Sequence, residues 1–220
     1  MTEETSQDGA LQRDLAFRYR LFSPAASTGE CVFLLHGSGV DETTLVPLAR
    51  EIAPRAVLIA VRGRLVQEDG FRWFARITPT RFEQQSIRTE TDAFAGFIAD
   101  ATTRHGLDLS RTAFLGYSNG ANLVSSLMLL HPGLVERAAL LRPMPVLDDV
   151  PATDLSNARV LIIAGAADLT YAPFAPALVT LLSQHRAELD ARIVPSGHEF
   201  GGADAAIVRQ WLKAVPAPAE

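Results

Sequence analysis

The chain predicts an α/β fold, a mainly parallel sheet with helices on both faces, and three observations carry that expectation. Short apolar runs alternate with helical stretches along the whole sequence. The run Val32-Phe33-Leu34-Leu35 is apolar without a break, as a strand buried on both faces is, and does not alternate with a period of two. The pentapeptide Gly116-Tyr117-Ser118-Asn119-Gly120 lies directly between a short apolar strand and a helical stretch. Its glycines remove Cβ atoms from a tight strand-to-helix turn and leave the serine hydroxyl exposed at the positive end of a helix.

The elements follow in order. Phe17 to Phe22 reads as the opening strand and Val32 to Leu35 as the second. Thr44 to Ile52 is a helix with Leu45, Leu48 and Ile52 on one face and Asp41 or Thr43 as its cap. Ala56 to Val61 is a strand. Ile87 to Arg104 is a long helix, because Ile87, Phe94, Phe97, Ile98 and Ala101 form one stripe. Thr112 to Leu115 leads through Ser118 into the helix Ala121 to Leu130. Arg137 to Leu141 and Arg159 to Ala164 are strands, Phe174 to Arg186 is a helix, and Ala191 to Val194 is the last strand. Asp204 to Ala214 closes the fold as a helix with Asp204 as its cap. Residues 1–10 read as a disordered tail and 215–220 as a frayed end, leaving 11–214 as one domain with a minimal lid or none. Arg62 to Gln85 shows no regular period, and irregular stretches of that length are usually functional.

Bulk properties narrow the function. A net charge of −5 with no basic run excludes a general nucleic-acid binder. Cys31 is the only cysteine, so no intramolecular disulfide forms, and its apolar setting makes it a small buried hydrophobe. No apolar run is long enough for a membrane span, and the polar first residues do not form a secretory signal, so the reading is a cytoplasmic protein. Metal-ligand spacing is absent from the sequence.

A serine hydroxyl becomes a nucleophile only when a base takes its proton, and that base needs an acid to fix its tautomer. Reactive groups of an open parallel sheet gather at the carboxyl ends of its strands. Asp168 lies four residues past Ala164 and His198 four residues past Val194, both at that end, in the chain order Ser118, Asp168, His198 of a nucleophile elbow. His105 and His185 fall on or near helix ends, His131 precedes Pro132, and Asp190 precedes its strand. Asp148 and Asp149 remain the runner-up acids. The small residues of His36-Gly37-Ser38-Gly39 let the backbone approach a bound carbonyl, so the N–H groups of Ser38 and Asn119 are the candidate oxyanion donors. A phosphate loop is a poorer reading, since the Lys-Ser/Thr pair is missing. His36 itself reads as a structural hydrogen-bonding residue.

Together, His36-Gly37-Ser38-Gly39-Val40-Asp41-Glu42, the Ser118 pentapeptide, Asp168 and Gly197-His198 resemble the phospholipase/carboxylesterase branch of the α/β-hydrolases, over about residues 17–213. Val61-Arg62-Gly63, Phe71-Arg72-Trp73-Phe74, Arg88-Thr89-Glu90 and Leu140-Leu141-Arg142-Pro143-Met144 resemble its small bacterial carboxylesterases, often found with quinone-stress or ring-cleavage genes. The resemblance implies a triad of Ser118, Asp168 and His198, oxyanion donors at Ser38 and Asn119, and no cofactor. It also implies hydrolysis of small-molecule carboxylic esters with short acyl chains, and often a homodimer. Acyl-protein thioesterases of this branch usually carry Gln at the position of Asn119 and Leu at that of Ser38, so a thioesterase or lysophospholipase is the second reading. A non-catalytic small-molecule-binding homologue is the third. In residues 62–85, Trp73 and Phe74 either wall an acyl or alcohol site or anchor the loop on the core. Met144 is placed at the same pocket, and Arg72, Arg76 and Arg81 are either an attraction for an anionic substrate or solvated side chains.

Overall fold

The first seven elements set up half of a sheet and the start of its cover. In the computed structural model, which describes residues 8–67 and 70–214, these are β1 (Leu11–Gln12), β2 (Tyr19–Phe22), β3 (Cys31–Leu35), α1 (Val46–Ile52), β4 (Val57–Val61), β5 (Leu65–Gln67) and β6 (Gly70–Arg72). There follow β7 (Arg76–Thr78), β8 (Arg81–Phe82), α2 (Gln84–His105), β9 (Thr112–Tyr117), α3 (Asn119–Leu130) and β10 (Arg137–Leu141). The chain closes with β11 (Arg159–Gly165), α4 (Ala175–Gln184), β12 (Glu188–Val194) and α5 (Gly202–Ala214). Eight strands pair in the order β1-β2-β4-β3-β9-β10-β11-β12. From β4 to β12 the neighbours are parallel, and the β1–β2 and β2–β4 pairings at one edge are antiparallel. The expected tail over 1–7 and the frayed end over 215–220 lie outside the described residues. Residues 8–10, expected in that tail, instead extend the edge: the Gly9 N–H donates to Leu21 O at 2.7 Å and Arg20 donates to Gly9 O at 2.8 Å.

Unbroken apolar strands are explained by two cores, one on each face. Phe33 and Leu35 of β3 join Ile59 and Val61 of β4, Ala138 and Leu140 of β10, and Val160 and Ile162 of β11 on one face, with buried residues of α2, α3 and α4. Val32 and Leu34 join Leu58, Ala60, Ala139, Leu141, Leu161 and Ile163 on the other, with α1 and α5. Successive side chains of a strand point to opposite faces, so a strand covered twice must be apolar at every position. Aromatic rings concentrate on the α2 side. Phe33 and Phe114, cross-strand partners on β3 and β9, stack with centroids 5.0 Å apart, and Phe97 packs edge-on to Phe17 and Tyr19.

Several element boundaries differ from expectation for local reasons. The α2 helix begins at Gln84, because the Glu83 carboxylate accepts from the N–H groups of Gln85 and Ser86 and so caps three polar residues that carry no period. Gly106 closes it in the left-handed region at φ 61°. Neither Asp41 nor Thr43 caps α1: Asp41 instead accepts from the backbone and hydroxyl of Thr43, closing a turn just before the helix. Residues 62–85 are not irregular throughout. They hold two short antiparallel hairpins, β5–β6 and β7–β8, and the first is tied to the loop after β3 by Gly39 N–H donating to Phe71 O at 3.0 Å.

Phe97 is fully buried and meets four aromatic rings, so Phe97→Ala should cost about 3–5 kcal/mol in urea unfolding. Ile77→Ala, on a side chain 63% exposed, should stay within about 0.5 kcal/mol of the parent.

Candidate active site

The turn after β9 places Ser118 in a conformation that non-glycine residues avoid, φ 51° and ψ −115°, and α3 starts at the next residue. Close approach on both sides makes the flanking glycines necessary. A Cβ at Gly120 would lie 2.1 Å from the Leu35 carbonyl oxygen, and one at Gly116 would lie 2.6 Å from Ala121 Cα. The Ser118 N–H donates to Leu141 O at 2.8 Å, which fastens the strained residue to the end of β10.

From this turn the hydroxyl reaches the two residues read from the sequence. Ser118 Oγ is 2.9 Å from His198 Nε2, and His198 Nδ1 is 2.6 Å from Asp168 Oδ2. An Nδ1 proton donated to the carboxylate leaves Nε2 to accept from the serine. Asp168 is buried just past β11, where its other oxygen accepts from the N–H groups of Thr170 and Tyr171. The rings of Tyr171 and Tyr117 flank the imidazole with centroids at 4.6 and 5.4 Å. Burial pushes the Tyr117 phenol up to about 12, so it stays neutral beside the histidine.

A cavity of about 230 Å³ opens over this group, lined by Ser38, Ser118, Asn119, Asn122, Met144 and His198, with Arg72, Arg76, Phe82 and Tyr171 around it. Met144 is one of these lining residues. Trp73 and Phe74 do not line it: both are completely buried, Trp73 against Phe17 and Phe94 and Phe74 against Phe82. Neighbouring residues of an extended segment face opposite ways, so Arg72 looks into the cavity and Trp73 into the core. Phe82 supplies the aromatic wall instead. Arg81 is exposed and outside the lining.

Three sets of braces surround the site, and among their residues His36 is the one the sequence marks as a structural hydrogen-bonding residue. The Asn119 side chain accepts from Trp73 N–H at 2.9 Å, joining the Ser118 turn to the hairpin segment, and Asn122 accepts from Met144 N–H at 2.9 Å. Below the Ser38 loop, His36 receives the Gly63 N–H on Nε2 at 3.0 Å and contacts Gly37 O through Nδ1 at 2.6 Å, while Trp73 Nε1 donates to His36 O. Burial lowers the His36 pKa to about 4, so the ring is neutral and structural. Glu42, also buried, accepts from Arg62 and Arg20. Burial raises its pKa, but those charged hydrogen bonds outweigh burial and hold it below the usual carboxylate range.

The third brace is Arg142, the residue after β10, at φ 53° with a fully buried side chain. It donates to Gly197 O, Ser196 Oγ and Glu199 O, all at 2.9 Å, and pairs with Asp204 at 2.7 Å. The loop carrying His198 is therefore held from below by one guanidinium. Asp204, expected as the cap of α5, lies inside the first turn and serves this ion pair, while also accepting from Gly201 N–H. An arginine directly after a buried strand is the one sequence signal that marks this role.

A mostly parallel sheet with a serine on a strained strand-to-helix turn, and a histidine and an aspartate at the neighbouring strand ends, defines an α/β-hydrolase. The structure is similar to the crystal structure of a carboxylesterase from Mesorhizobium loti, with 70% identity and a TM-score of 0.93 over 95% of this chain and all of that one. It is also similar to the Bacillus cereus carboxylesterase, with a TM-score of 0.87 and 24% identity over 91% of this chain and 95% of that one. The protein MhqD of Bacillus subtilis (strain 168), a hydrolase by name, is 30% identical over 183 residues, 83% of this chain and 92% of its own. No protein-family model matches the chain. The chain belongs to the phospholipase/carboxylesterase family of the α/β-hydrolases.

Two outcomes follow from the braces. Asp204→Asn leaves the Arg142 charge buried without its counter-ion and should lower unfolding free energy by about 3–5 kcal/mol, read from denaturant titration. His36 titrates near 4 in the fold against an ordinary 6.5, so its contribution is complete above pH 6.5 and is lost as pH falls toward 4. The stability gap between the parent and His36→Gln should accordingly shrink by about 3 kcal/mol across that window.

Proposed function

We propose that the protein is a serine carboxylesterase acting on small esters through an acyl-enzyme. One observation carries this reading, the continuous hydrogen-bond chain from Ser118 through His198 to Asp168 at the floor of a cavity. His198 takes the Ser118 proton as the hydroxyl attacks the ester carbonyl, and returns it to the departing alcohol. It then activates water to release the acid and free the serine. Asp168 stays ionised, keeps the Nδ1 proton in place and stabilises the imidazolium that forms.

Negative charge on the tetrahedral carbon's oxygen needs fixed donors. Asn119 is the first residue of α3, so its N–H has no intrahelical acceptor, and Ser38 lines the same cavity. Backbone N–H groups at these two places form the oxyanion site, each worth roughly 10²–10³ in rate. The cavity of about 230 Å³ is smaller than the range typical of drug-sized ligands, which favours a short acyl chain. The 70% identical Mesorhizobium loti carboxylesterase supports the same type of reaction.

Ser118→Ala should lower kcat on 4-nitrophenyl acetate by at least about 10⁴-fold while circular dichroism shows an intact fold. Retention of more than a few per cent of the activity would remove the serine from the mechanism.

A further inference from the structure

We infer that two copies of this chain join edge to edge, β12 pairing antiparallel with the partner's β12 about a two-fold axis at Ala191. β12 is the last strand of the sheet and bonds on one side only, to β11. The direction of its backbone groups follows from its ends. Glu188 N–H donates to Ala158 O and Val194 O accepts from Ala166 N–H, so Glu188, Asp190, Arg192 and Val194 turn toward β11. Leu189, Ala191 and Ile193 therefore turn their N–H and C=O groups outward, and among the described residues no hydrogen bond reaches those groups. Such an edge is a template for another strand, and proteins that stay alone blunt it with a proline, a bulge or a very short strand. β12 has seven residues, holds no proline and keeps its register with β11 unbroken, whereas β1 at the opposite edge has two residues.

The side chains of the strand specify a second copy as the occupant. Outward-turned residues must oppose outward-turned residues, so the pairing can shift only in steps of two. With Ala191 opposite the partner's Ala191, Asp190 faces the partner's Arg192 and Leu189 faces the partner's Ile193, and both pairs repeat across the axis. One step either way sets Asp190 against Asp190 or Arg192 against Arg192. Like charges directly opposed are destabilising, so a single register is selected. In that register the charged residues form the pairs without backbone hydrogen bonds, whose side chains lie closest. Asp190 and Arg192 already pair within the strand at 2.6 Å, so charges alternate in sign across the joint. On the other face Ile193, 75% exposed in the single chain, meets the partner's Leu189. A strand complementary in charge to its own reverse fits an isologous two-fold contact.

Sedimentation velocity of the full chain at micromolar concentration should show a dimer. Arg192→Asp sets carboxylates against one another and should raise the dimer dissociation constant at least about tenfold. Combining it with Asp190→Arg reverses both charges, recreates the complementary pattern and should restore the dimer. The Arg192 side chain is more than half exposed, so these changes leave the fold of the single chain intact. Ala191→Cys reads the register directly: residue 191 faces itself at the axis, so a short bismaleimide should join the two chains there. Cys31 is buried and does not compete for the reagent. A monomeric parent, a dimer unmoved by Arg192→Asp, or a dimer that Ala191→Cys does not cross-link overturns the inference.

Discussion

Everything at this site depends on a crowded crossing of backbones beneath Ser118. The residue is held at positive φ, a conformation costing roughly 1–3 kcal/mol for a side chain with a Cβ, and it persists only because its surroundings leave no alternative. Gly120 sits against the carbonyls of Leu35 and His36, Gly116 sits against the first turn of α3, and the Ser118 N–H is drawn to Leu141 O. Strands β3, β9 and β10 thus meet α3 at one point. The same contact fixes the start of the helix, the distance to His198, and the distance between the Ser118 turn and the Ser38 loop. A looser turn would free the serine and lose all three.

Around that crossing the loops are held by polar groups buried as completely as the core. Glu42 gathers Arg20 and Arg62 under the loop after β3, neutral His36 ties the same loop to Gly63, and Arg142 with Asp204 carries the His198 loop. Buried ion pairs contribute little net stability, because desolvation offsets their attraction. Their effect here is placement. Each brace removes freedom from a segment that would otherwise move relative to Ser118, and fixed geometry is what proton transfer and oxyanion stabilisation require.

Much of this was legible in the chain. Strands covered on both faces must be apolar throughout, so β3, β4, β10 and β11 stood out, and the glycines around Ser118 together with the order of Asp168 and His198 pointed to one sheet edge. Other features depend on facts a local pattern does not carry. The hairpins within residues 62–85 are two- and three-residue strands of mixed polarity, too short to show a period. Which of Arg72 and Trp73 faces the cavity turns on the register of that segment against α3, so the chain alone leaves Trp73 and Phe74 open between walling the site and anchoring the loop, and the fold puts both in the core. Arg142 and Asp204 are 62 residues apart, and a cap is the only role that Asp204's own neighbours announce.

The central claim is that the strained turn makes Ser118, alone among the serines, the nucleophile. Mass spectrometry after exposure to a 4-nitrophenyl phosphonate tests it without knowledge of the natural ester. The account predicts one covalent adduct per chain, on the peptide containing Ser118, formed together with complete loss of esterase activity. An adduct on a different residue, or full labelling of Ser118 with activity retained, would contradict it.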